Sequence, residues 1–215
     1  MNDNLFQTQY DVTKRSKLKI FYDEKKFLIF TLLSLLLISI VVTSFYLDSK
    51  KKKKINLSEK YVMAKIYLQN NEIEKSKKIL NELVFLNDST YSTLALFLIT
   101  DKKFSEEDER IVELFDHVIE NNKFNIEIKN LLTFKKSLLQ ADFVSETELI
   151  NTLKPLINSE TLWKPHALSI LGDFFFNKSE FVKAAEFYSQ IMNIKGLNPA
   201  IYEHARSQLI LANND

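Results

Sequence analysis

Three histidines and one acidic run are the residues that could do acid–base or metal chemistry. His117, His166 and His204 are the histidines of the chain. They stand far outside the spacing of roughly three to five residues that makes a local metal motif. Glu106, Glu107, Asp108 and Glu109 form the acidic run. Grouped carboxylates can act as general acid and base. Negative charge in a first helical turn is also what the helix dipole favours, and that structural role accounts for all four. Cysteine is absent, which removes a thiol nucleophile, a thiolate metal site and a disulfide framework together. Gly172 and Gly196 are the two glycines, so neither a phosphate-cradling loop nor a dinucleotide fingerprint can be written. The net charge of +1 argues against nucleic acid, whose phosphates call for a sustained basic surface. No nucleophile is grouped with a base. The expectation is a protein with no cofactor, no metal and no small-molecule substrate, which acts by contact.

The elements that would present such contacts begin with a membrane span. Phe27 to Leu47 carries no charge, proline or glycine. At about 1.5 Å per residue it covers roughly 30 Å, the thickness of the hydrocarbon core. It is longer than a signal-peptide core, and no small-x-small site follows in Thr43-Ser44-Phe45-Tyr46-Leu47. Phe45 and Tyr46 fit an interfacial aromatic belt. The division expected is a short polar tail over 1–26, a transmembrane helix over 27–47, a lysine-rich linker over 48–56, and a helical domain over 57–215.

In that domain apolar residues recur at steps of three and four, as in Ile111, Leu114, Phe115, Val118 and Ile119. No stretch alternates with period two. Ser105 to Asp108 and Ser145 to Glu148 read as capping boxes. Pro165 and Pro199 fit first helical turns, the latter after an Asn198 cap. Pro155 should kink or end its helix. Helices are expected over 57–70, 72–87, 89–101, 105–121, 125–141, 146–158, 164–177, 180–194 and 199–212. Short turns between them imply antiparallel neighbours.

A repeat runs through these helices. In Leu168–Ile191 the residues Leu171, Gly172 and Phe175 are followed by Ala184, Tyr188 and Ile191, the spacing of a tetratricopeptide repeat. Small Gly172 and Ala184 let two helices approach, and Leu171, Phe175 and Tyr188 fill the space around the crossing. A second copy places Met63, Ala64 and Tyr67 on the first helix, then Ser76, Leu80 and Leu83 on the second. The pairs around Leu94-Ala95 and Leu131–Leu138 keep the helices and lose most small residues. The fold class expected is all-α: one transmembrane helix, then a tetratricopeptide-repeat-like α-solenoid of about four helical hairpins and a C-terminal helix.

With Tyr91-Ser-Thr-Leu-Ala95, Asn130-Leu131, Leu138-x-Gln140-Ala141-Asp142 and the Trp163–Met192 block, this layout resembles the ancillary subunit family of the bacterial Sec translocon. The resemblance implies an inner-membrane protein with a cytoplasmic N-terminus and a periplasmic repeat domain. It implies a non-enzymatic adaptor beside the translocon, associated with a membrane-anchored periplasmic chaperone and with exported clients. Basic residues near the span do not choose a side. Lys14, Arg15, Lys17, Lys19, Lys25 and Lys26 before it balance Lys50–Lys54 and Lys60 after it. The alternative is a docking protein whose domain faces the cytoplasm.

The inner helices of tetratricopeptide proteins line a groove that receives a peptide or a partner helix. Carried onto this chain by resemblance, the groove positions are His166, Ser169, Asp173 and Phe176, with Ser58, Tyr61, Lys65 and Leu68 in the first repeat. Phe174, Phe175 and Phe176 cannot all be buried on one helix face. One of them is either an exposed binding anchor or is covered by a neighbouring helical pair. His166 either titrates in the groove or is an ordinary solvated histidine. Lys50–Lys54 either clamp anionic lipid or form a solvated spacer. Thr31, Ser34, Ser39 and Thr43 either line a helix–helix contact or simply face lipid.

Overall fold

The computed structural model describes residues 17–104 and 108–214. The described residues form nine helices and no strand. They are α1 (Lys17–Gln69), α2 (Ile73–Val84), α3 (Tyr91–Asp101), α4 (Asp108–Asn121), α5 (Ile126–Gln140), α6 (Glu146–Ile157), α7 (Lys164–Asn177), α8 (Phe181–Met192) and α9 (Pro199–Asn214). By contact the chain divides into two compact units, Met1–Asn56 and Leu57–Asp215.

The first unit is helical wherever it is described. Residues 17–26, read from the sequence as a polar tail, and 48–56, read as a linker, both belong to α1. The reason is local. Neither stretch contains glycine or proline, lysine is a good helix former, and Asp48 pairs with Lys52 one turn on, at 2.8 Å. From Phe27 to Leu47 every residue is exposed except half-buried Ile29. Among the described residues α1 alone is long and apolar enough to cross a membrane.

In the second unit several helices end on a left-handed residue that is not glycine. After α1, Asn71 has φ 59°. Its N–H donates to the Leu68 carbonyl, and the Glu72 N–H donates to that of Tyr67. After α7, Ser179 has φ 61° and the bonds repeat, from Ser179 to Phe176 and from Glu180 to Phe175. After α3, Lys103 at φ 48° is followed by the same pair of bonds, to Thr100 and Ile99. These are Schellman closures, which satisfy the last free carbonyls of each helix. Gly196, in the turn between α8 and α9, is also left-handed, at φ 73°.

The starts are capped as well. Asp88 Oδ1 accepts from the N–H groups of Thr90 and Tyr91, and buried Ser92 donates to the Leu83 carbonyl at 2.9 Å. Together they stop α2 at Val84 and delay α3 to Tyr91, inside the boundaries read from the sequence. Asn125, Ser145 and Asn198 accept from Ile128, Glu148 and Ala200 N–H. The capping box read at Ser105–Asp108 lies outside the described residues at 105–107. Pro155 sits inside α6, which runs on to Ile157. In the final turn its missing N–H deprives only the Asn151 carbonyl, so the helix is not cut short there.

Two hydrophobic cores hold the unit. One gathers Leu57 and Ala64 of α1 with Leu80, Leu83, Ala95, Leu96, Phe115 and Leu132. The other gathers Leu149, Leu153, Leu156, Leu168, Leu171, Phe175, Ala184, Tyr188 and Ala205. α5 serves both, sending Leu132 to the first and Phe134 to the second. From α2 onward each helix packs on the next, and α7 also touches α5 and α9, the helices two removed from it.

Candidate partner-binding site

Four of the eight expected groove residues lie on α7 and four on α1. Pro165 lies in the first turn of α7, where a missing N–H costs nothing, and Gly172 sits at its centre. A Cβ built on Gly172 would lie 2.5–2.9 Å from three ring atoms of Tyr188. Only glycine therefore lets α8 approach this closely. Tyr188 is fully buried and donates its hydroxyl to Asp173 Oδ1 at 2.7 Å. Burial first, and then that carboxylate, push the Tyr188 phenol far above its ordinary value. Tyr188 is neutral at every physiological pH.

The repeat-packing positions fall as follows. Ala64, Leu171, Gly172, Phe175, Ala184 and Tyr188 are buried, and Tyr67 is half-buried. Met63 differs, being 50% exposed. It lies about 100° around α1 from Ala64, and the inward row of that helix runs through Leu57, Tyr61, Ala64 and Leu68. The two blocks share more than burial. Lys75 pairs with Glu72 and lies 5.3 Å over the Tyr67 ring. At the matching positions Lys183 pairs with Glu180 at 2.8 Å and lies 4.8 Å over Phe175. Lys183 also bonds Glu146 of α6. Its pKa is raised by Glu180 first and then by Glu146.

The eight groove positions divide into two groups, one on each core. On α1, Lys65 is exposed, while Ser58, Tyr61 and Leu68 are half-buried. Tyr61 packs on the first core with its ring 6.3 Å from Tyr91, and burial raises its pKa. On α7, His166, Ser169, Asp173 and Phe176 form one row, and all are half-buried. His166 lies 5.5 Å from the Phe134 ring and 5.9 Å from Trp163, which itself stacks on Phe134. It is a member of an aromatic trio, not a freely solvated side chain. Asp173, besides holding Tyr188, lies 3.7 Å from His204 Nε2 on α9. The row thus meets α5 at one end and α9 further along. Of the three phenylalanines, Phe174 and Phe175 are buried, and Phe176 meets Phe181 edge-on at 5.3 Å. The covering partner is the second helix of its own pair.

Phe134, Trp163 and His204 border this row without having been singled out for it. Phe134 and His204 reach it across about thirty residues of chain, whereas Trp163 is three residues from His166. A separate open cleft of about 560 Å³ lies between α2 and α4, lined by Asn81, Phe85, Glu109, Arg110, Glu113 and Leu114. Glu109 and Asp108 stand in the first turn of α4; Glu106 and Glu107 lie outside the described residues. Among the described residues no group of three or more His, Asp or Glu is arranged to hold a metal ion.

Three hydroxyls of the apolar segment, those of Thr31, Ser34 and Thr43, bond to their own helix. Thr31 donates to the Phe27 carbonyl at 2.6 Å, Ser34 to Thr31 at 2.9 Å and Thr43 to Ser39 at 2.7 Å. They need no partner to be satisfied in an apolar medium. No protein-family model matches the chain, and no curated protein or solved structure shows significant similarity to it.

Proposed function

We propose that this chain is a non-enzymatic adaptor, tethered to a membrane by α1, which works through protein–protein contacts of its paired helices. The observation that carries the reading is the apolar segment 27–47, exposed along its length. A surface of that extent is covered by lipid or by another protein, and its length fits the hydrocarbon core.

The solenoid reading rests on the two equivalent blocks. Both use a buried small residue on each helix, the same Schellman turn, and a lysine spanning a turn glutamate and an aromatic ring. The contacts of α7 with α5 and α9 place alternate helices side by side, as stacked hairpins require. The row His166, Ser169, Asp173 and Phe176, with exposed Lys65 of the first block, is the contact surface in this proposal. A tether confines that surface to two dimensions and raises its effective concentration for other membrane-bound partners.

The specific partners proposed are subunits of the Sec translocon, a membrane-anchored periplasmic chaperone and exported clients, which places the domain in the periplasm. This part rests on the sequence resemblance alone. Basic residues flank the span equally on its two sides, so charge leaves the rival placement, a cytoplasm-facing docking protein, open. Photocrosslinkers at exposed Lys65 and His204, in intact cells, test the proposal. Adducts with translocon or periplasmic chaperone subunits support it. Adducts confined to cytoplasmic proteins would replace it with the rival.

A further inference from the structure

We propose that Lys50–Lys54 form a collar around α1 that binds anionic phospholipid headgroups where the helix leaves the bilayer; this rests on the spanning reading above. Two features of the structure point to it. First, the segment is helical. Successive lysines are therefore turned by about 100° and rise by about 1.5 Å each, so the five ammonium groups surround the axis instead of forming one stripe. A protein partner approaching from one side would call for a stripe, whereas lipid surrounds a helix on every side. Second, the depth fits. Lys50 stands about 4.5 Å beyond Leu47 and Lys54 about 10 Å beyond it. The headgroup zone is roughly 5–7 Å thick on each face, and lysine stems reach back toward it.

The charge is available for lipid. All five lysines are exposed. Lys52 pairs with Asp48 at 2.8 Å, with both side chains more than half exposed, a pair that a phosphate can replace. Among the described residues no acidic side chain lies within ion-pair distance of Lys50, Lys51, Lys53 or Lys54. The partner is an anionic phosphodiester headgroup held by multiple point charges, without the fork geometry that arginine would impose.

The test uses the full chain reconstituted in mixed phosphatidylcholine and phosphatidylglycerol bilayers, with spin-labelled versions of each lipid as probes. The variant K50Q/K51Q/K53Q/K54Q keeps helix propensity and removes charge. The wild type should favour phosphatidylglycerol about threefold at low salt, and the preference should fall toward one in 0.5 M salt, where the Debye length is only about 4 Å. The variant should lose most of it, with Lys52 and the lysines before the span supplying the remainder. An equal preference in variant and wild type, or none in either, would overturn the collar while leaving the span intact. Extraction of the wild-type chain from the vesicles by carbonate would overturn the span and the collar together.

Discussion

Replacing Gly172 by alanine separates close helix approach from ordinary helix propensity. In an open helix the change stabilises by about 1 kcal/mol, because glycine is the poorer helix former. Here the new methyl group would lie 2.5–2.9 Å from the Tyr188 ring, about 1 Å inside normal carbon contact. Tyr188 cannot swing away freely. It is fully buried, and its hydroxyl is held by Asp173 at 2.7 Å. Overpacking against a ring held this firmly costs about 3 kcal/mol, the upper end of the usual range. The net expectation is a loss of about 2 kcal/mol. With a urea slope of about 2 kcal/mol per molar, the unfolding midpoint should fall by about 1 M. Trp163, the single tryptophan, packs on the same core and reports the transition by fluorescence in detergent. Pairing the substitution with Tyr188→Leu should recover part of the loss, since the crowded ring is gone. A raised midpoint for Gly172→Ala would refute the α7–α8 approach described here.

Other substitutions probe the same frame. Ser76 is fully buried and its hydroxyl finds no hydrogen-bond partner among the described residues, so Ser76→Ala should stabilise by about 1 kcal/mol, read by circular dichroism in urea; a loss would mean that the hydroxyl is bonded. Ser179 holds φ 61°, a left-handed conformation that costs a residue with a Cβ about 1 kcal/mol, so Ser179→Gly should raise the midpoint, and a fall would contradict the turn geometry. Tyr188 binds its proton more tightly folded than unfolded, so the stability it contributes is complete below pH about 10 and is lost as pH rises above that value. The advantage of wild type over Tyr188→Phe should therefore shrink by up to about 1.4 kcal/mol per pH unit between pH 10 and 11, and a constant gap would contradict the burial.

How much of this was legible in the sequence depended on how local each signal was. The helical class, a helix long and apolar enough to cross a membrane, and the close packing of α7 on α8 could be read because apolar spacing, Pro165, Gly172 and Ala184 act within one or two turns. The boundaries of α2 and α3 could not, because Asp88 and Ser92 cap across the turn with side chains that a periodicity count passes over. The helical state of 48–56 could not be read from its charge; a lysine run carries no breaker, and helix propensity decides the backbone there. Met63 and Ala64 are neighbours of opposite fate, and spacing alone did not say which of them faced inward. The surroundings of His166 and Asp173 come from Phe134 and His204, which only the packing of α7 on α5 and α9 brings near.

Membrane anchoring with the paired helices on the far side is tested most directly by fusing alkaline phosphatase after Asp215 and then extracting the membranes with carbonate. A membrane tether with the paired helices outside the cytoplasm predicts an active enzyme that stays in the pellet. An active enzyme released into the supernatant would remove the tether, and an inactive one retained in the pellet would put the contact surface in the cytoplasm.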